Sequence, residues 1–588
     1  MPQRNCHDAS RNSRYVALLA AGFLALGLWQ HLYFSYSVDQ LTFFKNAFDE
    51  DTYLLHPFGP GGIRPDRLLS GTLVSGLLWL LQGSHGLALA VLDTFFPPLI
   101  FLAAYFVGAA IFREIKARCL FAILLALAPD LFSLGNAASY PGPFPTLDQF
   151  RALFGKTLVP PIETSFLALY RSPEPQISYA IVFCQIGLLL RFIFNEARPA
   201  ALGTILGLAV SQALTMICYL IVAYPLLAFE GFAAFLLVLS GRVRKAVILG
   251  FLLTISIPAI YASVRLGSGG PTTGATMLFQ SRMPEITVGV LSAAMLALLS
   301  GIMLLQRKSD LRLIAAFALA IVPLAIMNQQ IVTGWMISGR DWERFINLSF
   351  VVVSGGILLS LVNRRRDWQG PVTGAAIIIT LVFSTLSSMR TYNLWLADNL
   401  KSVAIARAIE AADTLGRDTL LVFEEPEYAP LVSLRTRRSY RPLLDYTEVF
   451  KNPIPATPEF KPTPLSASLF EYWRQTNVSP ATAQEILQRE ALQKSGYYSG
   501  FIFNICEYWS PCTDGRNVQT EKIFRALPSV ITSYEKSSRD SGAGEIPKAT
   551  AGRHFAHVLS KSPVPSGAFA KIGEGRAGPF IAGIWVQN

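Results

Sequence analysis

The sequence predicts an α-helical polytopic membrane protein of about eleven spans with a C-terminal α/β domain outside the membrane. Three observations carry that expectation. Of 588 residues, 52% are hydrophobic and only 15% charged, too apolar a balance for an ordinary soluble chain. Apolar runs long enough to cross a hydrocarbon core of about 30 Å recur through the first two thirds. From about Arg390 the composition turns to that of a soluble α/β domain. The expected division is therefore a membrane module at 1–389 and an extracytoplasmic domain at 390–588.

The N-terminal run Tyr15–Leu32 follows Arg4, Arg11 and Arg14 and lacks a small-residue cleavage site, so it counts as the first span. A polar, turn-rich first outer loop, 35–67, comes next; it holds Asp49-Glu50-Asp51 and Gly59-Pro60-Gly61-Gly62. Leu68–Leu81 is apolar but short, and reads as an interfacial helix over 68–82. Further spans are expected at Gly86–Phe112, Leu120–Leu134, Ile177–Ile193, Ala201–Ile217, Leu220–Leu239, Val247–Val264, Ile286–Leu305, Ile314–Gln329, Phe345–Leu361 and Val372–Leu386.

With that count, five basic turns fall on the side of the N-terminus: Arg113–Arg118, Arg191–Arg198, Arg242–Lys245, Arg307–Arg312 and Arg364–Arg366. The positive-inside rule makes that side cytoplasmic. The net charge of +11 is thus spent largely on orientation, and no nucleic-acid partner is expected.

In the C-terminal part, Leu400, Val403, Ala404, Ala408 and Ala411 keep helical spacing, and Thr419–Phe423 reads as a buried strand. Ser479-Pro480 reads as the cap and first position of a helix reaching Lys494. Strands are expected at Gly500–Ile505 and Phe580–Val586. Cys119, Cys184 and Cys218 fall in apolar segments as packing residues, whereas Cys506 and Cys512 lie close together in a polar region and are a disulfide candidate outside the cytoplasm. His554 and His557 have the spacing of a metal pair on a helix face, without a third ligand. Gly155-Lys156-Thr157 lacks the glycine-rich turn of a phosphate loop, Phe150 standing where its first glycine belongs, which argues against nucleotide hydrolysis.

The outer face holds the candidates for chemistry. Asp49, Glu50 and Asp51 are adjacent carboxylates, suited to deprotonating an acceptor or holding a cation. Asp93 and Asp130 lie just inside the outer ends of their spans, where ionisable groups are costly. Arg64, Arg171, Arg340 and Arg344 belong to the same side and suit a phosphate. Asn328, Gln329 and Gln330 offer amides for sugar hydroxyls, with Trp335 and Trp342 as stacking faces.

The acidic first loop, the amphipathic segment after it, the number of spans and the C-terminal outer domain resemble the GT-C superfamily of membrane glycosyltransferases. Asp49-Glu-Asp-Thr-Tyr53, Tyr170-Arg-Ser-Pro-Glu-Pro-Gln176 and Asn328-Gln-Gln-Ile-Val-Thr-Gly334 look like bacterial members encoded with surface-polysaccharide genes. The resemblance implies a GT-C-like fold in a bacterial inner (plasma) membrane. It also implies inverting transfer of a sugar from a polyprenyl-phosphate donor to a glycan, lipid or protein acceptor outside. Asp49 or Asp51 would be the base, with Glu50 third; Arg340, Arg344, Arg64, Arg171 and Gln176 would meet the substrates. It leaves open a divalent cation, Mg or Mn, held by Asp49 and Asp51. Two other classes stay in view. A polysaccharide transporter, flippase or polymerase would place ionisable residues at mid-membrane, where Glu230 is the candidate; a non-catalytic scaffold would act through its outer domain alone.

The sidedness is directly testable. A reporter fused after Glu50 is expected to be active only outside the cytoplasm and one fused after Ser309 only inside; the opposite pattern would invert every assignment to the outer face.

Overall fold

The computed structural model describes residues 3–36, 68–81, 85–135, 174–195, 202–268, 278–280, most of 288–337, 342 and 346–362, with 378 and 382. In the C-terminal part it describes most of 400–412, then 420–423, 470, 473, 478–488, 527–536, 555–559 and 569–587. These fall into two compact units, one built on the helices up to Trp395 and one from Leu396 onward.

The first unit is a helical bundle. Its elements are α1 (Gln3–Tyr36), α2 (Leu68–Leu80), α3 (His85–Ile111), α4 (Ile115–Gly135), α5 (Gln176–Phe194), α6 (Leu202–Cys218), α7 (Leu220–Leu239), α8 (Val243–Ser268), α9 (Val288–Gln306), α10 (Leu311–Asn328), α11 (Gln330–Thr333) and α12 (Leu348–Val362). Among the described residues six helices are long and apolar enough to cross a membrane, at Ser13–Leu32, Leu87–Ile111, Gln176–Phe194, Val222–Leu239, Gly289–Gln306 and Leu311–Thr333. The outward side chains are apolar: Val247, Phe251, Met295 and Leu298 are each more than 60% exposed. Such a belt is at home in lipid and a liability in water. The eleventh expected span, 372–386, lies almost wholly outside the described residues.

Contacts between neighbours set the direction of each helix. Phe23 of α1 stacks on Phe101 of α3 with centroids 4.9 Å apart, and His31 of α1 meets Asp93 of α3 at 2.9 Å. Moving up α1 from 23 to 31 therefore means moving back along α3 from 101 to 93, so the two helices are antiparallel. The chain between them leaves and re-enters the bundle at one pole. α2 belongs to that excursion and does not cross: its 13 residues reach only about 20 Å. Val74 and Leu78 bury one flank of α2 against Ala88, Leu92, Ile177 and Cys218, whereas Trp79 and Leu80 are exposed. The expected helix over 68–82 is found as Leu68–Leu80.

The same reasoning runs through the bundle. Glycines mark where helices touch: a Cβ on Gly27 would overlap the Asp93 carbonyl, and one on Gly187 would enter the Phe106 ring. Close approach matters in lipid, where packing rather than water release joins helices. The Phe106–Gly187 and Asp93–Gln176 contacts make α3 and α5 parallel. The short turn from Gln306 to Leu311, with Phe317 against Gly301, makes α9 and α10 antiparallel, and the Arg312–Ser360 and Ser354–Ala316 bonds together do the same for α10 and α12.

This alternation puts Arg113, Lys116, Arg118, Arg191, Arg242, Arg244, Lys245, Arg307 and Arg312 at one pole. They close helix ends there. Arg118 donates from Nε to the Phe112 carbonyl at 2.9 Å and from Nη2 to that of Arg113 at 2.8 Å. Lys245 donates to the Ile193 and Asn195 carbonyls at 2.8 and 2.6 Å, at the C-terminus of α5. A cation at the negative end of a helix satisfies carbonyls left over by the last turn. The basic turns therefore serve helix closure, and the orientation read from them is common to the four that are described; Arg364–Arg366 lie outside the described residues.

The second unit holds a four-stranded sheet, β1 (Leu420–Phe423), β2 (Phe555–Leu559), β3 (Phe569–Ala577) and β4 (Phe580–Gln587), in the order β1-β2-β4-β3. The β1–β2 pair is parallel, whereas β4 runs antiparallel to both β2 and β3. Helical residues within 400–411 lie on β3, where Gly573 and Gly575 leave the backbone of Ala404 and Ala408 room; a methyl group at either would overlap it. Ser479 caps the helix at 480–488 by accepting from the Thr482 amide at 3.1 Å, as its sequence led us to expect. Trp473, Phe470 and Tyr534 form an aromatic core, Trp473 and Tyr534 meeting edge to face at 5.2 Å. The proposed helical histidine pair is corrected here. His557 is on the strand β2 and not on a helix, and His554 lies outside the described residues. The expected strand at Gly500–Ile505 lies outside the described residues, as do Cys506 and Cys512.

Lys571 and Arg576 flank Glu574 on β3, both bonding its carboxylate, and these bonds hold the carboxyl below its ordinary value of 4.5. The carboxylate form is favoured by folding, so the contribution is present at neutral pH and is lost as pH falls through the lowered pKa. Glu574→Gln is expected to flatten the acid side of the unit's stability profile, read by the thermal midpoint from pH 7 down to pH 3. An unchanged profile would show the bonds to be without consequence in solution.

Candidate functional site

At the pole opposite the basic turns, buried polar groups gather around the start of α5. Asp93 is 3% exposed, about two turns inside α3. Its Oδ2 pairs with His31 Nδ1 at 2.9 Å, and its Oδ1 accepts from Gln176 Nε2 at 3.1 Å. Helix α1 brings His31 there because residues 23, 27 and 30 form the face turned to α3. Both oxygens of the buried Asp93 side chain are thus engaged, one by the Gln176 amide and one by the His31 ring.

Glu174 lies one residue before the N-cap of α5 and is fully buried. Its Oε2 accepts from the backbone amide of Ser178 at 3.3 Å and from the Ser178 hydroxyl at 2.5 Å, and its Oε1 from the Cys218 thiol at 3.4 Å. A carboxylate here satisfies an amide of the first turn and meets the positive end of the helix. Ser70 of α2 donates to the Cys218 carbonyl at 3.0 Å, so the interfacial helix is tied to the same cluster. The long polar segments 37–67 and 136–173, whose residues are outside the description, join helix ends of this pole.

An apolar groove lies further along α3 and α5. Leu99, Leu102, Ala103 and Phe106 of α3 face Ala180, Cys184 and Leu188 of α5 across an open cavity of about 430 Å³. Because α3 and α5 are parallel, Leu99 lies about 9 Å along the axis from Asp93 and Phe106 about 20 Å. The groove thus lies between about 9 and 20 Å further along α3 than Asp93 and is open rather than enclosed. Cys184, expected to be inert packing, is exposed on its wall; Cys119 and Cys218 are buried as expected.

A second polar set lies deeper. Glu230 of α7 is fully buried and accepts from Gln185 Nε2 of α5 at 3.0 Å. Gln185 Oε1 in turn accepts from Thr215 of α6 at 2.7 Å, while Gln212 of α6 donates to Ser256 of α8 at 2.7 Å. Four helices are thereby stitched together at mid-membrane depth.

Asn328, Gln329 and Gln330 lie where α10 ends and α11 begins, at the pole opposite the basic turns, and two are engaged locally. Asn328 donates to the Leu324 carbonyl at 3.1 Å, Gln329 accepts from Thr333 at 2.8 Å, and Gln330 is fully buried. Trp342, offered as a stacking face, is corrected: it is 3% exposed and packs in the main core. Asp130 is on α4. Asp49, Glu50, Asp51, Arg64, Arg171, Arg340 and Arg344 lie outside the described residues, and among the described residues no three His, Cys, Asp or Glu side chains gather as a metal site. Sequence reasoning picked out Asp93, Gln176 and Glu230 but missed His31, Glu174 and Cys218. A histidine in the last turn of an otherwise apolar run, matched by an acid early in the next span, was the available signal. No protein-family model matches this chain, and no curated protein resembles it in sequence.

Replacing Glu230 by Leu would leave the Gln185 amide without its acceptor, and is expected to lower stability in detergent by about 1 kcal/mol. Glu230→Gln keeps an acceptor oxygen at that place and should remain near the parent. Chemical or thermal unfolding of both variants distinguishes a hydrogen-bonding role from one that demands the carboxyl itself.

Proposed function

We propose that this protein transfers a sugar from a polyprenyl-phosphate donor to an acceptor at the pole opposite the basic turns, in an inverting displacement. The observation that carries the reading is that α3 and α5 hold both a buried ionisable cluster, Asp93, His31, Glu174 and Gln176, near one end and an open apolar groove further along their length. An amphiphilic donor needs such a pair of surfaces: phosphate and sugar at the polar level, the prenyl chain along the groove. The resemblance adds Asp49 and Asp51 as base or as ligands of a divalent cation, and Arg340 and Arg344 for the phosphate. The active face is extracytoplasmic in a bacterial inner membrane, and the C-terminal domain lies on that side.

A second reading, transport, draws on Glu230, a fully buried carboxyl in the middle of a span. The two readings separate experimentally. Purified protein supplied with polyprenyl-phosphate sugar and an acceptor extract should release polyprenyl phosphate, and Asp49→Asn with Asp51→Asn should reduce release about 100-fold or more at unchanged protein level. Full release by the double variant would sink the role given to the acidic loop. Vesicles that move the intact lipid-linked sugar without cleaving it, with movement lost in Glu230→Gln, would favour transport instead.

A further inference from the structure

Beyond the loop carboxylates the pole holds a second group with the build of a proton acceptor. We propose that His31 is the general base of the transfer, with Asp93 and Gln176 as its positioning residues, and that the acceptor it serves is a hydroxyl. The inference rests on the glycosyl-transfer reading and deepens it.

Four features of the site support it. First, Asp93 takes His31 Nδ1 on one oxygen and Gln176 Nε2 on the other, at 2.9 and 3.1 Å. A carboxylate there puts the proton of the neutral imidazole on Nδ1 and leaves the lone pair on Nε2. Second, Asp93 is His31's hydrogen-bond partner among the described residues and engages Nδ1 alone, while the His31 side chain keeps 15% of its surface exposed, against 4% for Asp93. The ring is held at one nitrogen, and the side chain is not fully buried. Third, His31 is the penultimate residue of the apolar run Ser13–Leu32, at the level where hydrocarbon gives way to head groups. A water-borne hydroxyl and the sugar of a lipid-anchored donor meet at that depth. Fourth, the ring is held on rigid elements. Gly27 lets α1 sit on the Asp93 carbonyl, and Phe23 stacks on Phe101 two turns away. Such anchoring is what a base needs in order to be preorganised.

The step balances without another reactant. The acceptor hydroxyl gives its proton to His31 Nε2 as its oxygen bonds the anomeric carbon. The bond from that carbon to the phosphate oxygen breaks, and its electron pair leaves on polyprenyl phosphate. The imidazolium then returns its proton to water.

A tie between two helices would account for the same contact, so the test uses variants that separate the roles. His31→Gln keeps a donor for Asp93 but has no base. It is expected to hold the parental thermal midpoint while release of polyprenyl phosphate drops about 100-fold or more. Asp93→Asn and Gln176→Leu should lower kcat at nearly constant KM. His31→Gln with parental release, or with a loss of stability as large as that of His31→Ala, would overturn the proposal. Acylation of the purified full-length protein by diethyl pyrocarbonate provides a readout independent of transfer. His31 should be modified in the folded protein, and more slowly in Asp93→Asn; a His31 modified only after denaturation would also overturn the proposal. If the parent releases no polyprenyl phosphate, the glycosyl-transfer reading fails and the base assignment goes with it, whatever the acylation shows. If the parent releases it and His31→Gln does too, only the base assignment fails.

Discussion

The antiparallel contact of α1 with α3 is the constraint on which the rest of the bundle's reading depends. Once Phe23 lies on Phe101 and His31 on Asp93, the chain from 37 to 84 must begin and end at one pole, and α2 cannot be a crossing helix. Each later helix then has a fixed direction, and the basic turns collect at the opposite pole. A single polar bond at the end of an apolar helix thus decides where both long polar segments emerge.

Charge and burial divide the labour between the poles. At the basic pole the cations complete helix C-termini, as Arg118 and Lys245 do, and those contacts are strong because several carbonyls converge on one side chain. At the other pole the polar groups are acids, amides and one imidazole, buried and mutually bonded. Burial of ionisable groups in lipid is expensive, and it is sustained here by donors on both oxygens of Asp93 and on both of Glu174.

Much of the bundle was legible in the sequence because hydropathy and length report directly on a lipid environment. Ile177–Ile193 was expected and Gln176–Phe194 is found; Leu220–Leu239 agrees at both ends. The C-terminal sheet was harder to read. Its strand β4 stood out as an apolar run, but β3 carries two glycines and three charges and is broken by a bulge between Lys571 and Gly573, which hides any alternation. β2 was obscured by the histidine spacing. At the site, Asp93 and Glu230 were visible because acids in apolar runs are rare. His31 was not, since one histidine near a helix end has many bland explanations, and only the register of α1 on α3 joins it to Asp93.

The most direct test of that register is a cross-link between α1 and α3 in the full-length protein in membranes, with the native cysteines replaced. Cysteines at Phe23 and Phe101 should be joined rapidly by a short thiol reagent, whereas cysteines at Phe23 and Leu89 should not. Efficient joining of the second pair and failure of the first would contradict the antiparallel contact, and with it the assignment of the ionisable cluster to the pole of the polar segments.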